Sequence, residues 1–154
     1  MATHNSEQYN AGIATLGSGP AGTLKALTGT LEIGTIHTIG DTINFFVAPA
    51  GFTPLFGWMV GDDLDTGTEA LEIDVGITGD TTKYLNSGVL SGDTIANEKI
   101  TVGIKIPLQE DLMTVKPTPF TSNTTVIGTV TAAAATGGTG TLTLIMCGLY
   151  NEQL

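Results

Sequence analysis

The sequence A-L-E-I-D-V-G-I-T-G-D-T-T-K-Y, residues 70–84, decides the fold class. Its aliphatic residues alternate with two acidic residues and a glycine, which is the period of two typical of a β-strand with one buried face. The buried face is predicted to consist of Leu71, Ile73, Val75 and Ile77. Glu72 and Asp74 are predicted to face solvent or a partner. Gly79 and Asp80 then supply a turn, and a second extended segment follows.

The rest of the chain repeats this pattern of short extended segments separated by Gly, Asp, Asn and Pro, at the spacing expected of sandwiches and barrels. The predicted strands cover 22–33, 35–39, 42–48, 54–60, 69–78, 83–90, 98–106, 124–135 and 140–150. The last two are predicted to form a hairpin through a glycine-rich turn. Because the final segment is apolar on both faces, it is expected to lie centrally in its sheet.

A chain of 154 residues is the size of one domain that can bury a core without metals or disulfides. We therefore predict a single all-β domain over residues 21–154, an antiparallel β-sandwich of jelly-roll type. Residues 1–20 are polar and Gly-rich with no sustained period. They are predicted to form an extended N-terminal arm that lies on a neighbouring subunit.

The charge composition argues against nucleic acid as a partner. The net charge is −10, and the five basic residues are all lysine. Arginine is the residue that best recognises phosphate, and an acidic field repels a polyanion. The first eight residues are polar and carry no apolar signal segment, and no apolar run approaches the length of a membrane span. The sequence thus predicts a protein made in a cytoplasm without export, with neither a nucleic acid nor a membrane partner.

Several motifs invite a reading as chemical sites, and each has a simpler interpretation. Residues 17–22 spell G-x-G-x-x-G, as in dinucleotide-binding turns, but the β-rich sequence that follows offers no helix to hold a pyrophosphate. We therefore predict no cofactor. The acidic cluster at 62–69 could supply oxygen ligands to Ca²⁺, yet it lacks the full EF-hand pattern, so a solvated hairpin loop is the preferred interpretation.

Catalysis is not predicted. His4 and His37 are the two histidines, and neither stands in a pattern that would join a serine and an acid. The fifteen acidic residues offer carboxylate pairs, but an active cleft would be expected to carry arginine, histidine or several aromatic residues. We predict no catalytic, cofactor-binding or metal-ligating residues, and no enzyme activity.

Most large rings fall in one short stretch: Phe45, Phe46, Phe52, Phe56 and Trp58. They could form a partner-binding patch, since aromatic residues dominate binding hot spots. Their strand spacing favours the alternative, in which they belong to the core. Cys147 has no second cysteine to pair with and is predicted to be a small buried residue.

The segment L-E-I-D-V-G, followed by a G-D turn and K-Y-L, resembles small all-β virion proteins of tailed bacteriophages. The stretch A-G-F-T-P-L-F-G-W at 50–58 and the closing T-G-T-L-T-L at 139–144 with Tyr150 fit the same layout. The likeness covers residues 45 to 150. It is greatest for the head decoration proteins, also called cement proteins.

This resemblance implies a structural protein of the virion that binds the major capsid protein on the outer surface of the phage head and stabilises the capsid lattice. It also implies self-association as a homotrimer. Two alternatives remain open. The chain could be another virion component, such as a tail or head-fibre protein, or a carbohydrate-binding jelly-roll module, which would expose a pair of aromatic residues beside acidic or amide groups.

Overall fold

The computed structural model describes residues 1–14, 16, 23–34, 38–62, 64–65, 70–89, 104–107, 117–137 and 139–151. Within them the chain forms nine β-strands and one short helix. In chain order these are β1 Thr3–Asn5, α1 Glu7–Asn10, β2 Thr23–Ile33, β3 Thr42–Ala48, β4 Phe52–Gly61, β5 Glu72–Ile77, β6 Asp80–Val89, β7 Ile104–Pro107, β8 Thr124–Ala132 and β9 Gly140–Tyr150.

The strands form two sheets, with the orders β1-β3-β8-β5-β6 and β2-β9-β4-β7. The β1–β3 pair is parallel and all other pairs are antiparallel. From β2 to β9, every connection except the β5–β6 hairpin crosses from one sheet to the other. This eight-stranded arrangement of four plus four is that of a jelly roll, which confirms the predicted all-β sandwich.

Strand β5 shows how the alternating sequence produces the core. Ile73 and Val75 are fully buried and Leu71 is nearly so, as predicted, while Ile77 is half-buried against the core. The prediction for Asp74 is wrong, because that residue is only 6% exposed. β5 lies between β8 and β6, and its register against β6 shifts on both sides of Val75. Because β5 is central and pairs irregularly with β6, even residues on the side away from the core have little solvent-accessible surface.

The predicted strands 42–48 and 140–150 coincide with β3 and β9. β6 spans ten residues and pairs with β5 through a turn in which Gly79 has a φ of +92°, a conformation that favours glycine.

The prediction of a strand at 35–39 is wrong for residues 38 and 39, the part of it that the structure describes. Residues 38–41 form a turn instead, because the Asp41 carboxylate accepts the N–H of Thr38. Residues 35–37 and 98–103 lie outside the described residues.

The prediction of a terminal hairpin is wrong. β8 pairs with β3 and β5, whereas β9 pairs with β2 and β4, so the two strands lie in opposite sheets. Each is central in its own sheet and needs neighbours on both edges, which a simple hairpin would not provide. The expected central position of the final strand is confirmed.

The first fourteen residues lie along the chain's own sandwich. β1 pairs with β3, and Ile13 forms a further bridge to Val47. Between them Ser6 is fully buried and caps α1 by accepting the N–H of Tyr9. This segment covers the edge of β3, which would otherwise expose unpaired backbone groups. The division of the chain into an arm at 1–20 and a domain at 21–154 stays a prediction.

Candidate interaction surface

The four-stranded sheet has an apolar outer face. Cross-strand pairing aligns its side chains in rows, and the central row joins Ala26 of β2, Cys147 of β9 and Phe56 of β4. The flanking rows contain Leu24 with Leu149, and Ile145 with Trp58. We use the term outer face for these side chains: Leu24, Ala26, Phe56, Trp58, Ile145, Cys147 and Leu149.

Several outer-face side chains are open to solvent. Leu24 is 54% exposed, Phe56 40% and Leu149 37%. These three are half of the six large hydrophobic residues that are exposed in the described part of the chain, so the exposure is concentrated on one face. Contiguous exposed apolar surface on a folded protein commonly marks an interaction site.

Phe56 and Trp58 reach this face because β4 is irregular. The register of β4 against β9 shifts between Pro54 and Phe56. Phe52 and Pro54 point into the core before the shift, and Gly57 and Met59 do so after it. The extra residue reverses the alternation, so Phe56 and Trp58 turn outward and meet edge to face at a centroid distance of 5.4 Å.

The prediction that the aromatic stretch forms the core therefore holds for only part of it. Phe45, Phe46 and Phe52 are at most 1% exposed. Phe45 and Phe46 are both buried, although adjacent, because β3 has a register shift of its own between Asn44 and Phe46. Cys147 is not buried as predicted but half-buried on the outer face. Its partial burial raises the pKa of the thiol.

The outer face is almost uncharged, although the chain carries ten net negative charges. β4 and β9 contain no ionisable residue except Cys147 and Tyr150, and β2 contributes Lys25 and Glu32. The other acidic residues lie outside these three strands. A surface of this kind suits close contact with another protein, because no charge has to be desolvated when it is covered.

The acidic segment 62–69 has a structural role in the residues that the structure describes. Asp65 is 2% exposed and accepts four backbone N–H groups, from Ala70, Leu71, Ala135 and Thr136, at 2.8–3.2 Å. Burial by itself raises the pKa of Asp65, but these hydrogen bonds outweigh it and the pKa is lowered. The carboxylate thus fastens the start of β5 to the segment between β8 and β9.

Asp62 acts in a similar way at the start of β9. It accepts the backbone N–H and the hydroxyl of Thr141, each at 2.7 Å, and both bonds lower the pKa of Asp62. The interpretation of this segment as a solvated hairpin loop is therefore wrong for Asp65. A cation could bind Asp65 only by displacing backbone donors, and the described residues include no group of three metal-ligating side chains placed to hold an ion.

The one described histidine lies near a buried carboxylate. His4 Nε2 is 4.0 Å from Asp41, whose pKa the backbone N–H groups of Thr38 and Ala2 lower to about 2. The closest candidate nucleophile in sequence, Ser6, donates its hydroxyl to the carbonyl of Phe45 and accepts the N–H of Tyr9. These groups together hold the N-terminal segment on β3.

Two features that the sequence analysis singled out lie outside the part of the chain that the structure describes. The G-x-G-x-x-G motif at 17–22 and His37 lie outside the described residues, as do Asp63 and residues 66–69. In the part of the chain that the structure describes, no helix is both long and apolar enough to span a membrane.

No protein-family model matches the chain, and no curated protein does so either. Three solved structures are similar. A chain of the Ralstonia phage GP4 capsid is 21% identical with a TM-score of 0.73, covering 98% of this chain and 99% of that chain. A chain of the cyanophage Pam1 capsid asymmetric unit is 24% identical with a TM-score of 0.69, covering 90% and 92%. A chain of the acid-stable capsid of Helicobacter pylori bacteriophage KHP30 is 14% identical with a TM-score of 0.51, covering 82% and 93%. At these identities the likeness establishes a shared fold.

Proposed function

We propose that this chain is a structural protein of a bacteriophage virion, and specifically a decoration protein that binds the major capsid protein on the outer surface of the head. The observation that carries the proposal is the whole-length match to a chain of the GP4 capsid, which covers 98% of one chain and 99% of the other. The likeness therefore spans the full jelly roll of both chains.

The outer face supports a binding role. It is apolar, nearly uncharged and formed by three adjacent strands. Phe56 and Trp58 are of the residue types that dominate binding hot spots. We assign this face to the contact with the capsid shell. The described ion pairs and the carboxylates of Asp62 and Asp65 lie outside these rows and serve the fold.

The charge supports a position outside the shell. Packaged DNA is a dense polyanion, and a chain with a net charge of −10 and no arginine would be repelled from it. On the outer surface the same charge keeps neighbouring decorated particles apart.

The mechanism is linkage. A protein that binds the assembled lattice but not the separated subunits stabilises the lattice by the free energy of its own binding. Each copy contributes a modest amount, and the contributions add over the many equivalent sites of a shell. Self-association as a homotrimer would place several outer faces on the lattice at once and raise the avidity.

A carbohydrate-binding role is the second candidate, because Phe56 and Trp58 form an exposed aromatic pair. The pair is edge to face, with an interplanar angle of 72°, and does not present one flat platform. The residues beside it in the described rows, Cys147 and Ile145, offer no carboxylate or amide to sugar hydroxyls. The geometry thus favours a protein partner.

The experiment is co-sedimentation of the purified chain with shells assembled from the major capsid protein alone. We expect saturable binding that is weakened by Phe56→Ser and by Leu149→Ser. Ile39→Ser is the matched control, because Ile39 is 66% exposed but lies in a turn away from the outer face. Decorated shells should also withstand a higher temperature than bare ones.

Failure of the wild-type chain to bind shells, or equal heat resistance of bare and decorated shells, would refute the decoration role. Light scattering of the free protein tests the homotrimer separately. A glycan array tests the carbohydrate alternative.

A further inference from the structure

β2 is an edge strand of unusual length. It runs for eleven residues at one end of its sheet and pairs with β9 along its entire length. Among the residues that the structure describes, no strand pairs with its other edge. A long edge presents a row of backbone donors and acceptors that can pair with another chain, and proteins usually cover or shorten such edges.

One side-chain contact reveals which residues point toward the open edge. The N–H of Thr30 donates to Oε1 of Gln8 in α1 at 2.8 Å, so the backbone of Thr30 faces away from β9. Its hydroxyl lies 3.1 Å from that of Thr143, its partner in the register, as expected where two residues oppose each other without exchanging backbone bonds. Because successive residues alternate, Leu24, Ala26 and Thr28 also direct their N–H and C=O groups to the open edge.

Only half of this edge is covered. At Gly29 the strand approaches β3 so closely that a Cβ there would collide with the carbonyl of Phe45, and α1 covers Thr30. Toward the start of the strand, Leu24, Ala26 and Thr28 are all exposed. Within the described residues, no hydrogen bond to the outward groups of these three is found.

We propose that residues 24–28 form a strand-addition site for an extended segment of a partner protein, with apolar residues at alternate positions and no acidic side chains. The backbone groups of Leu24, Ala26 and Thr28 at the open edge offer the hydrogen bonds. An added strand would continue the rows of the outer face beyond Leu24 and Ala26. The partner segment needs apolar residues at alternate positions because the side chains on one side of the added strand would extend the outer face. The identification of the partner as a capsid subunit rests on the proposed function.

The charge of the chain selects among possible segments. A net charge of −10 opposes the approach of an acidic segment and favours a neutral or basic one. A second copy of this chain, with the same negative charge, is disfavoured as the source. Backbone pairing supplies the affinity, and the apolar and charge requirements supply the selectivity.

The first test uses amide hydrogen exchange of the free protein, measured by NMR at low concentration. The amides of Leu24, Ala26 and Thr28 should exchange quickly, while those of Lys25 and Leu27, which face β9, should be protected. Protection of the three outward amides in the dilute protein would overturn the proposal. Protection that appears only as the protein concentration rises would show a second copy at the edge and overturn the assigned occupant.

The second test uses Ala26→Pro, which removes one outward N–H without removing a donor to β9, with Ala26→Val as the matched control that keeps the N–H. In co-sedimentation with capsid shells, the proline variant should bind about tenfold more weakly than the valine variant. This is the factor expected when one backbone hydrogen bond to the added strand is lost together with the bond next to it. Equal binding of the two folded variants would overturn the proposal. If the wild-type chain fails to bind shells, the proposed function fails, and the exchange pattern still decides whether the edge is open.

Discussion

Replacement of Asp65 tests whether a buried carboxylate, rather than a hydrophobic contact, joins the start of β5 to the β8–β9 connection. Oδ2 accepts the N–H groups of Ala70, Leu71 and Ala135, and Oδ1 accepts that of Thr136. Asp65→Ala removes both acceptor oxygens and leaves the four N–H donors without this partner. Asp65→Asn keeps one oxygen but places an N–H₂ group against one of the donors.

The expected magnitudes follow from the hydrogen bonds. A bond to a charged group contributes about 1.5–3 kcal/mol, which gives an upper bound of roughly 6–12 kcal/mol for four. Bonds that share one carboxylate are not additive. We expect Asp65→Ala to lower the free energy of unfolding by about 4 kcal/mol and Asp65→Asn by about 2 kcal/mol. Such a loss is a large fraction of the stability of a typical domain.

The assay is urea unfolding followed by the fluorescence of Trp58, the one tryptophan of the chain. The pKa of Asp65 in the folded state lies below the ordinary value of 3.8. Its stabilising contribution is therefore complete well above that value and is lost as the pH falls through the folded-state pKa. The difference between wild type and Asp65→Asn should be constant near neutral pH and shrink below about pH 4.

Asp80→Asn is the matched control, because Asp80 is 49% exposed and its ion pair with Lys83 is at the surface. That change should alter stability by less than about 0.5 kcal/mol. A loss below about 1 kcal/mol for Asp65→Ala, or a loss equal to that of the control, would refute the assigned role of the carboxylate.

Three further changes have expected outcomes. Ile73→Ala should lower the free energy of unfolding by about 2–5 kcal/mol, since it empties a fully buried site; an effect below 1 kcal/mol in urea unfolding would contradict the position of β5. Ser6→Ala should lower it by about 1–2 kcal/mol, because it removes the cap of α1 and the bond to Phe45; Ser6→Thr is the control that keeps the hydroxyl. Deletion of residues 1–14 should leave a folded sandwich by circular dichroism, because Ser6 is the sole buried residue of that segment, but it should increase aggregation by uncovering the edge of β3. A deletion variant that stays monodisperse would show that this edge needs no cover.

Alternation of residues was enough to predict most of the strands but not their partners. The segment 70–84 identified β5, its turn and the start of β6, because a period of two directly encodes which side chains are buried. The assignment of β8 and β9 to opposite sheets depends on contacts between residues far apart in sequence, and two strands joined by a glycine-rich turn look the same in either arrangement.

The outward position of Phe56 and Trp58 could not be predicted from alternation because it arises from an irregularity. Phe56 follows a register shift in β4, and the local sign of this irregularity is Pro54, which cannot donate a backbone hydrogen bond within the strand. Asp65 was missed as a structural residue for a related reason. Aspartates beside glycine and threonine are common in solvated turns, and only the folded chain brings the N–H groups of Ala135 and Thr136 to its carboxylate.

The position of β9 has a consequence for synthesis of the protein. β2 and β4 do not pair with each other, and both depend on β9, which places Tyr150 opposite both Thr23 and Phe52. On the ribosome, β2 and β4 cannot be joined in this sheet until residues 140–150 have been made. Chain segments whose strand edges stay unpaired during synthesis fold slowly and are prone to associate with other nascent chains. A ribosome that stops before residue 140 would release a chain unable to complete this sheet.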